Sequence, residues 1–282
     1  MGGMLAQFGE HVTVLLREQT LARHPDTIEL ERQSGKAKAP VERALKLTKP
    51  VDVLWITVKA PQLQEALRRI PTDGAGIGIL VPLLNGVDHV ARLQSQYGAE
   101  RVVAATIAVE AERVAPGHIV QRSPFVRLAL AENGRVKLQG IADKLRQAGF
   151  TVDFQADVPK MMWSKLAFLA PLALTTTASE RPTGGVWSDP EWKHRLVTCA
   201  REACEVAAAE GAPLDYNKIV GLFEALPPHM KSSMQKDVAA GRTPELDAIA
   251  GPILRGGSKH GIPVPVTTDL VAQVRNRVPQ LT

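Results

Sequence analysis

Cysteine and aromatic residues are scarce in this sequence. Two cysteines occur among the 282 residues, Cys199 and Cys204, and their separation of five positions in an apparent helix suits neither a disulfide nor a zinc site. We interpret both as small buried hydrophobic residues of a protein in a reducing compartment, and we expect a cytoplasmic location. Aromatic residues make up 4%, and no zinc-finger or RNP pattern is present, so we expect no nucleic-acid partner.

Long apolar runs and targeting segments are also missing. The sequence has no run of about 18 apolar residues, the length that a membrane helix requires, and its N-terminus lacks the charged-then-apolar pattern of a signal peptide. His194 and His260 have no partner at metal-ligand spacing, so we expect both to be structural. These absences predict a protein with no membrane segment and no metal site.

The composition that remains is that of a globular protein with two cores. The chain is 45% hydrophobic and 22% charged, and its length suffices for two domains. The net charge of +5 suits anionic small molecules, although a generally basic soluble surface explains it equally well.

Strands and helices alternate through the first half of the chain, which predicts a mostly parallel sheet. Residues 1–8 are predicted to be the second half of a helix. We predict strands at residues 11–16, 52–58, 78–84, 101–111 and 150–154, a helix at 136–148, and an antiparallel pair formed by 116–120 and 125–128.

Only helices are predicted after residue 157. The pattern predicts helices around residues 161–171, 191–210 and 214–226, a short helix followed by a long one within residues 231–268, and a final helix at 267–278. We therefore place a domain boundary between residues 1–156 and residues 157–282. Lys165 is the single cation in the first of these helices, and a buried lysine is costly unless it is paired. The alternative is a lysine at the helix flank whose ammonium reaches solvent.

A carboxylate stands at the start of the long helix that is predicted to begin at residue 244. Thr243 is expected as the N-cap and Pro244 as the first helical residue, with Glu245 just inside the helix. The positive end of the helix dipole favours the ionised form of a carboxylate there. On local grounds alone, the simpler interpretation is a first-turn residue that only stabilises its own helix.

The C-terminal part of the sequence contains a series of specific motifs, which are Ser233-Met234, Asp237, Arg242, Glu245-Leu246-Asp247 and the loop His260-Gly261-Ile262-Pro263-Val264-Pro265-Val266-Thr267. In these motifs the sequence resembles the ketopantoate reductase (2-dehydropantoate 2-reductase) family. The resemblance covers almost the entire chain.

This resemblance implies a fold and an activity. The expected fold is a Rossmann-like, mostly parallel α/β domain without its first strand, followed by an all-helical domain of the 6-phosphogluconate dehydrogenase-like type. The expected enzyme reduces a 2-keto acid with NADPH, most simply ketopantoate to pantoate in pantothenate and coenzyme A biosynthesis. Its site would lie between the domains, and its partners would be a small keto acid and, in a homodimer, a second copy of the chain; a monomer is the other form.

The resemblance also implies roles for individual residues. Lys165 and Glu245 are the expected catalytic residues, with Lys165 as the proton donor. Arg17, which follows a predicted strand, suits the 2′-phosphate of NADPH, although it could be a solvated loop residue. Asn85-Gly86 could likewise be a plain turn. The remaining roles are cofactor binding by Arg17, Lys59, Gln62, Asn85 and Glu245, and substrate binding by Asn85, Lys165, Thr183 and Ser233.

Two departures from the family pattern keep other functions open. Leu169 and Ala173 stand where asparagines are usual four and eight positions after the lysine, so a different carbonyl substrate is an alternative. The sequence also lacks the G-x-G-x-x-G turn that receives a pyrophosphate, and we expect the natural start to lie upstream of Met1. The other alternative is a truncated, non-catalytic relative.

Overall fold

The computed structural model describes residues 1–278. The chain forms two compact units. The first contains residues up to Val58, then 62–83 and 92–156; the second contains the short segments Lys59–Pro61 and Leu84–Ala91 and the described residues 157–278. No helix within residues 1–278 is long and apolar enough to cross a membrane.

The first unit is a mixed α/β structure with four small sheets. Its strands are β1 (Thr13–Leu15), β2 (Thr27–Arg32), β3 (Gly35–Pro40), β4 (Glu42–Ala44), β5 (Val51–Ile56), β6 (Ile77–Pro82), β7 (Ala105–Ala108), β8 (Ala111–Ala115), β9 (His118–Gln121), β10 (Arg127–Ala131) and β11 (Thr151–Gln155). The pairs β1–β4, β5–β6, β10–β11 and β2–β9 are parallel, whereas β2–β3, β7–β10 and β8–β9 are antiparallel. Parallel pairing therefore runs through every sheet, as the alternation of strands and helices predicted.

Short helices accompany these strands. They are α1 (Gly2–Gln7), α2 (Glu18–Leu21), α3 (Leu63–Leu67), α4 (Asp88–Tyr97) and α5 (Arg135–Gln147). Strand β6 is almost fully buried, with Ile79, Leu80 and Val81 at 1% exposure or less. Such a continuous apolar run is typical of a strand that is covered on both faces.

The predicted antiparallel pairing of residues 116–120 with 125–128 is wrong. Strand β9 pairs instead with β8 across a turn at Gly117, whose φ of 73° suits glycine. Strand β10 lies between β7 and β11, because its apolar side chains Leu128 and Leu130, each 1% exposed, require burial. Between β9 and β10 the Ser123 hydroxyl donates to Phe125 O and accepts from Glu110 N, so the chain turns away from the hairpin.

The second unit is helical. Its helices are α6 (Val158–Ser179), α7 (Thr183–Ser188), α8 (Pro190–Ala209), α9 (Tyr216–Glu224), α10 (Ser233–Ala239), α11 (Leu246–His260) and α12 (Pro265–Arg277). Helix α6 packs against α8, α9, α10 and α12. The fold prediction of an α/β part followed by helices is confirmed.

Helix α6 is the central element of this unit. Asp157 caps its start by accepting a hydrogen bond from Lys160 N at 2.9 Å, and Pro159 follows in the first turn. Pro171 lies inside the helix and cannot donate a backbone hydrogen bond. Its own carbonyl accepts from the Thr175 hydroxyl at 2.7 Å.

A buried carboxylate from α8 holds the start of α12. Glu202 is 5% exposed and accepts three hydrogen bonds, from Val266 N (2.9 Å), Thr267 N (2.8 Å) and the Thr267 hydroxyl (2.5 Å). The first N–H groups of a helix have no partner within the helix, so an external acceptor stabilises them. This contact explains why a glutamate is tolerated in the core of the helical unit.

Replacing Glu202 with alanine should destabilise the protein by about 3 kcal/mol, because three donors would lose their acceptor in a buried site. Thermal and urea unfolding would measure the loss. Glu205→Ala, an exposed position on the same helix, is the matched control and should change stability little. An equal effect of the two substitutions would show that the contact does not hold α12.

Candidate active site

Glu245 is the centre of the polar cluster in the helical unit. Its side chain is buried at 8% exposure and accepts two hydrogen bonds, from Ala60 N at 2.9 Å to Oε1 and from Asn85 Nδ2 at 3.1 Å to Oε2. Both donors belong to the two short segments of the helical unit that are distant in sequence. One carboxylate therefore joins three separate parts of the chain.

The start of α11 differs from the expectation. Thr243 was predicted as the N-cap, but the helix begins at Leu246 and Glu245 is itself the N-cap residue. The Glu245 side chain makes no capping hydrogen bond to its own helix, because its two oxygens accept from Ala60 and Asn85. The interpretation of Glu245 as a residue that only stabilises its own helix therefore does not describe its contacts.

Lys165 is a half-buried cation on α6. Burial lowers the pKa of its ammonium from 10.5 to about 8, and the negative charge of Glu245 opposes that shift. Desolvation disfavours a charged group, whereas a nearby opposite charge favours it. The result is an amine that can hold or release a proton near neutral pH.

The segment that carries Asn85 is fixed to α11. Gly86 has a φ of 87°, and a Cβ there would lie 2.3 Å from Ala248 O, so this close approach requires glycine. Arg255 bonds Asp88 on one side and Asp247, at 2.8 Å, on the other. Asn85-Gly86 is therefore more than a plain turn, because Gly86 packs against the backbone of α11 and the nearby Asp88 bonds Arg255 of the same helix.

A second cluster of charges surrounds Asp237. This buried carboxylate, 6% exposed, accepts from Lys59 Nζ at 2.5 Å and from Arg242 Nε at 2.9 Å. Two cations on one carboxylate leave a net positive charge, and both cations are partly open to solvent. Such a site suits an anionic group of a ligand.

The predicted substrate residues Ser233 and Thr183 are placed differently. Ser233 is the first residue of α10 and is exposed, whereas its neighbour Ser232 is the buried N-cap and accepts from Gln235 N. Ser232 Oγ also accepts from the Thr176 hydroxyl at 2.8 Å. Thr183 is buried, and its hydroxyl donates to Pro227 O at 2.5 Å. Ser233 is thus available to a ligand, while the hydroxyl of Thr183 is already engaged.

Arg17 and Gln62 lie in the first unit. Arg17 follows β1, is exposed, and places its Nε 3.4 Å from Glu65 Oε1. Gln62 ends a short 3₁₀ turn and is half-buried ahead of α3. The proposed cofactor roles of both residues stay predictions.

The face of α6 that follows Lys165 is apolar. Leu169, one turn on, is partly buried against the helical core, and Ala173, two turns on, is fully buried. Residues four apart lie on the same face of a helix. No side-chain amide therefore follows Lys165 along this face.

Two residues of this region were not identified from the sequence. One is His89, 7% exposed, whose pKa is lowered by burial and then by the positive charge of Lys165. The other is Asp237, which appeared only as part of a family motif. In the sequence, Asp237 follows a lysine and precedes an arginine, and this arrangement is too common to indicate a binding site. A single histidine such as His89 forms no motif with a characteristic spacing. Within residues 1–278, no group of three or more His, Cys, Asp or Glu side chains is arranged to hold a metal ion.

Comparison with known proteins matches both halves of the chain to the same protein family. Residues 1–134 match the sequence model described as ketopantoate reductase PanE/ApbA, and residues 157–278 match its C-terminal counterpart. A 2-dehydropantoate 2-reductase of Caulobacter vibrioides is 30% identical over 248 residues, which cover 85% of this chain and 78% of that protein.

Solved structures agree with the fold. A PanE/ApbA family ketopantoate reductase from Ralstonia eutropha superimposes with a TM-score of 0.85 at 26% identity, covering 98% of this chain and 93% of the other. A D-mandelate dehydrogenase with bound NADH and anilino(oxo)acetate has the same TM-score and coverage at 21% identity, which shows the shared fold.

These matches define the class of the protein as an oxidoreductase with an α/β part followed by a helical part. Within that class, the chain belongs to the ketopantoate reductase family.

Replacing Lys165 with methionine should stabilise the protein at pH 7. The pKa of the Lys165 ammonium is lowered in the folded protein, so the folded state binds this proton less tightly than the unfolded chain does. The lysine therefore lowers the free energy of unfolding at every pH at which it is charged in the unfolded chain. The advantage of the variant should shrink as pH rises from about 8 to 10.5.

Urea unfolding between pH 7 and 10.5 would measure this difference, with Lys160→Met as the control because Lys160 is exposed on the same helix. A Lys165→Met variant whose relative stability does not change with pH would contradict the lowered pKa.

Proposed function

We propose that this protein reduces a 2-keto acid to a 2-hydroxy acid with NADPH, and that ketopantoate is the first candidate substrate. The observation that carries the proposal is Lys165, a partly buried ammonium whose pKa is near 8 and which lies within the field of the Glu245 carboxylate. A general acid works best when its pKa is close to the operating pH. If ketopantoate is the substrate, the protein acts in pantothenate and coenzyme A biosynthesis.

Lys165 would act on the carbonyl oxygen of the substrate. Bound NADPH supplies the hydride that the ketone carbon receives. The Lys165 ammonium stabilises the negative charge that develops on the oxygen and then donates a proton to it. The hydroxyl product leaves a neutral amine, and the lowered pKa makes that proton transfer easier than from an ordinary lysine.

Glu245 and Asn85 would set the geometry of this step. The Glu245 carboxylate favours the charged form of Lys165 and holds the Asn85 amide by Nδ2. The Asn85 carbonyl oxygen could accept a hydrogen bond from a donor on the cofactor or substrate. Ser233, with its exposed hydroxyl, and the cations around Asp237 would bind the anionic groups.

The residues present fit NADPH in part. Arg17 is exposed at the end of a strand that pairs in parallel fashion, where a guanidinium binds a ribose 2′-phosphate. Lys59, Gln62 and Asn85 would serve the remainder of the cofactor. The glycine-rich turn for the pyrophosphate does not occur in the 282 residues, so no residue is assigned to that group.

Replacing Arg17 with alanine should weaken NADPH binding by roughly 10- to 100-fold, because a charge-assisted hydrogen bond to the 2′-phosphate is lost. NADH lacks that phosphate, and its binding should stay within about twofold. Fluorescence titration of both cofactors would measure this. Equal losses for NADPH and NADH would remove Arg17 from phosphate recognition.

A second candidate is the reduction of a 2-keto acid with an apolar side chain. The specific observation in its favour is the apolar face formed by Leu169 and Ala173 after Lys165. A hydroxyl placed against that face would lose its hydrogen bonds to water without replacement. Either candidate function is compatible with a monomer or a homodimer.

Two keto acids that differ by one hydroxyl distinguish these candidates. Ketopantoate carries a 4-hydroxyl that 3,3-dimethyl-2-oxobutanoate lacks. A site that hydrogen-bonds the hydroxyl should prefer ketopantoate by about 100-fold or more in kcat/KM. This is the expected result for the first candidate, and equal or reversed values would favour the second.

Lys165→Ala is the control for the chemistry. It should lower kcat for both keto acids by about 100-fold or more while leaving the Kd of NADPH nearly unchanged. An unchanged kcat would remove Lys165 from the mechanism. Absence of NADPH oxidation with either keto acid in the wild type would contradict the proposed function.

A further inference from the structure

A carboxylate joins two arginines near the end of strand β1 in the first unit. Glu65 Oε1 lies 3.4 Å from Nε of Arg17 and accepts a hydrogen bond from Nη2 of Arg69 at 3.2 Å. Two guanidinium groups from separate parts of the chain therefore meet at one oxygen atom. The three side chains together carry one positive charge in excess, and those of Arg17 and Glu65 are each 50% exposed.

Arg69 is fixed at this place by backbone carbonyls. Its Nη1 donates to Leu16 O and, at 3.4 Å, to Leu45 O. Leu16 directly follows β1 and Leu45 directly follows β4, and these two strands pair in parallel. The guanidinium of Arg69 is therefore held across the carboxyl ends of two neighbouring strands, and its side chain is 21% exposed.

The carboxyl ends of parallel strands are where a doubly wound fold binds its ligands. A guanidinium at the end of such a strand accommodates the 2′-phosphate of a dinucleotide, which is the role proposed above for Arg17. Arg69 bonds the carbonyl of Leu16, the residue immediately before Arg17. It thus brings a second guanidinium, already oriented, to the same strand end.

We propose that Arg69 is a second residue of the 2′-phosphate site and that Glu65 holds both arginines in place until the phosphate replaces its carboxylate. This inference rests on the proposed function, because it concerns the NADPH that the function requires. Phosphate oxygens accept hydrogen bonds from Arg17 and Arg69, while the Glu65 side chain turns into solvent. Because NADH has no group that can displace Glu65, these residues also discriminate between the two cofactors.

The charges favour this exchange. A phosphate monoester carries a charge of about −1.5 to −2 at pH 7 and three acceptor oxygens, so it balances two guanidinium groups better than the single charge of Glu65 does. Exposed ion pairs contribute little to stability, so Glu65 is released at small cost. A carboxylate that stayed beside the phosphate would repel it. Within residues 1–278, Glu65 is the acidic residue that contacts both arginines.

Calorimetric titration of the intact protein with two adenosine nucleotides tests the site without any catalysis. Adenosine 2′,5′-bisphosphate carries the 2′-phosphate that adenosine 5′-phosphate lacks. Glu65→Gln keeps the size of the side chain and removes the charge that holds the two arginines. We expect it to tighten binding of the bisphosphate by about 5- to 10-fold and to change binding of the monophosphate by less than about twofold.

Glu18→Gln is the matched control for this substitution. Glu18 follows Arg17 in the sequence and is exposed, so its replacement removes an equal charge from the same region. It should change the binding of either nucleotide by less than about twofold. Equal gains in Glu65→Gln and Glu18→Gln, or no gain in Glu65→Gln, would overturn the inference.

Arg69→Met tests the second guanidinium, with its exposed neighbour in Arg68→Met as the control. We expect Arg69→Met to weaken binding of the bisphosphate by about 10-fold and to leave the monophosphate nearly unaffected, because a charge-assisted hydrogen bond is lost. Equal losses for both nucleotides would give Arg69 a structural role only and overturn the inference. If Arg69→Met does not fold, as a thermal melt would show, Glu65→Gln decides the question by itself.

Arg17→Ala separates failure of this inference from failure of the proposed function. A wild type that binds the bisphosphate no better than the monophosphate would contradict the choice of NADPH and the inference with it. A preference for the bisphosphate that Arg17→Ala abolishes, but that Glu65→Gln and Arg69→Met leave unchanged, would overturn the inference alone and leave the proposed function standing.

Discussion

The hydrogen bonds of the Glu245 carboxylate are the interaction on which the candidate site depends. The side chain is nearly excluded from solvent, so its negative charge requires partners. It obtains them from the backbone of Ala60 and the amide of Asn85, and it adds its field to that of Lys165. Two segments that follow strands β5 and β6 are in this way built into the helical unit.

The burial of Lys165 is unfavourable for stability but suits the proton donation that we propose for this residue. Its partial burial weakens the charged state and therefore costs folding free energy at neutral pH. The same burial brings its pKa close to 8, which suits a group that must hold and then release a proton. Glu202, in contrast, is a buried charge of the same unit whose three hydrogen bonds serve helix α12 alone.

Much of this arrangement was predictable from the sequence, and the remainder depends on long-range contacts. Helical periodicity located α11 and placed Lys165 in a buried helix, and the family motifs brought Glu245 and Asn85 into one site. The start of α11 was misplaced because the Glu245 side chain bonds Ala60 and Asn85 instead of its own helix. The hydrogen bond from the backbone N–H of Ala60 could not be predicted, because every residue type except proline carries this group. The predicted pairing of β9 with β10 was wrong because the apolar side chains of β10 are buried in another sheet.

The most direct test is the pKa of the Lys165 ammonium, measured by carbon NMR on the intact protein in the wild type and in Glu245→Gln. The glutamine keeps the size of the side chain and removes the charge. The account predicts a wild-type pKa near 8 and a lower one in the variant, because the carboxylate favours the protonated amine. An ordinary lysine pKa in the wild type, or no change in Glu245→Gln, would contradict it.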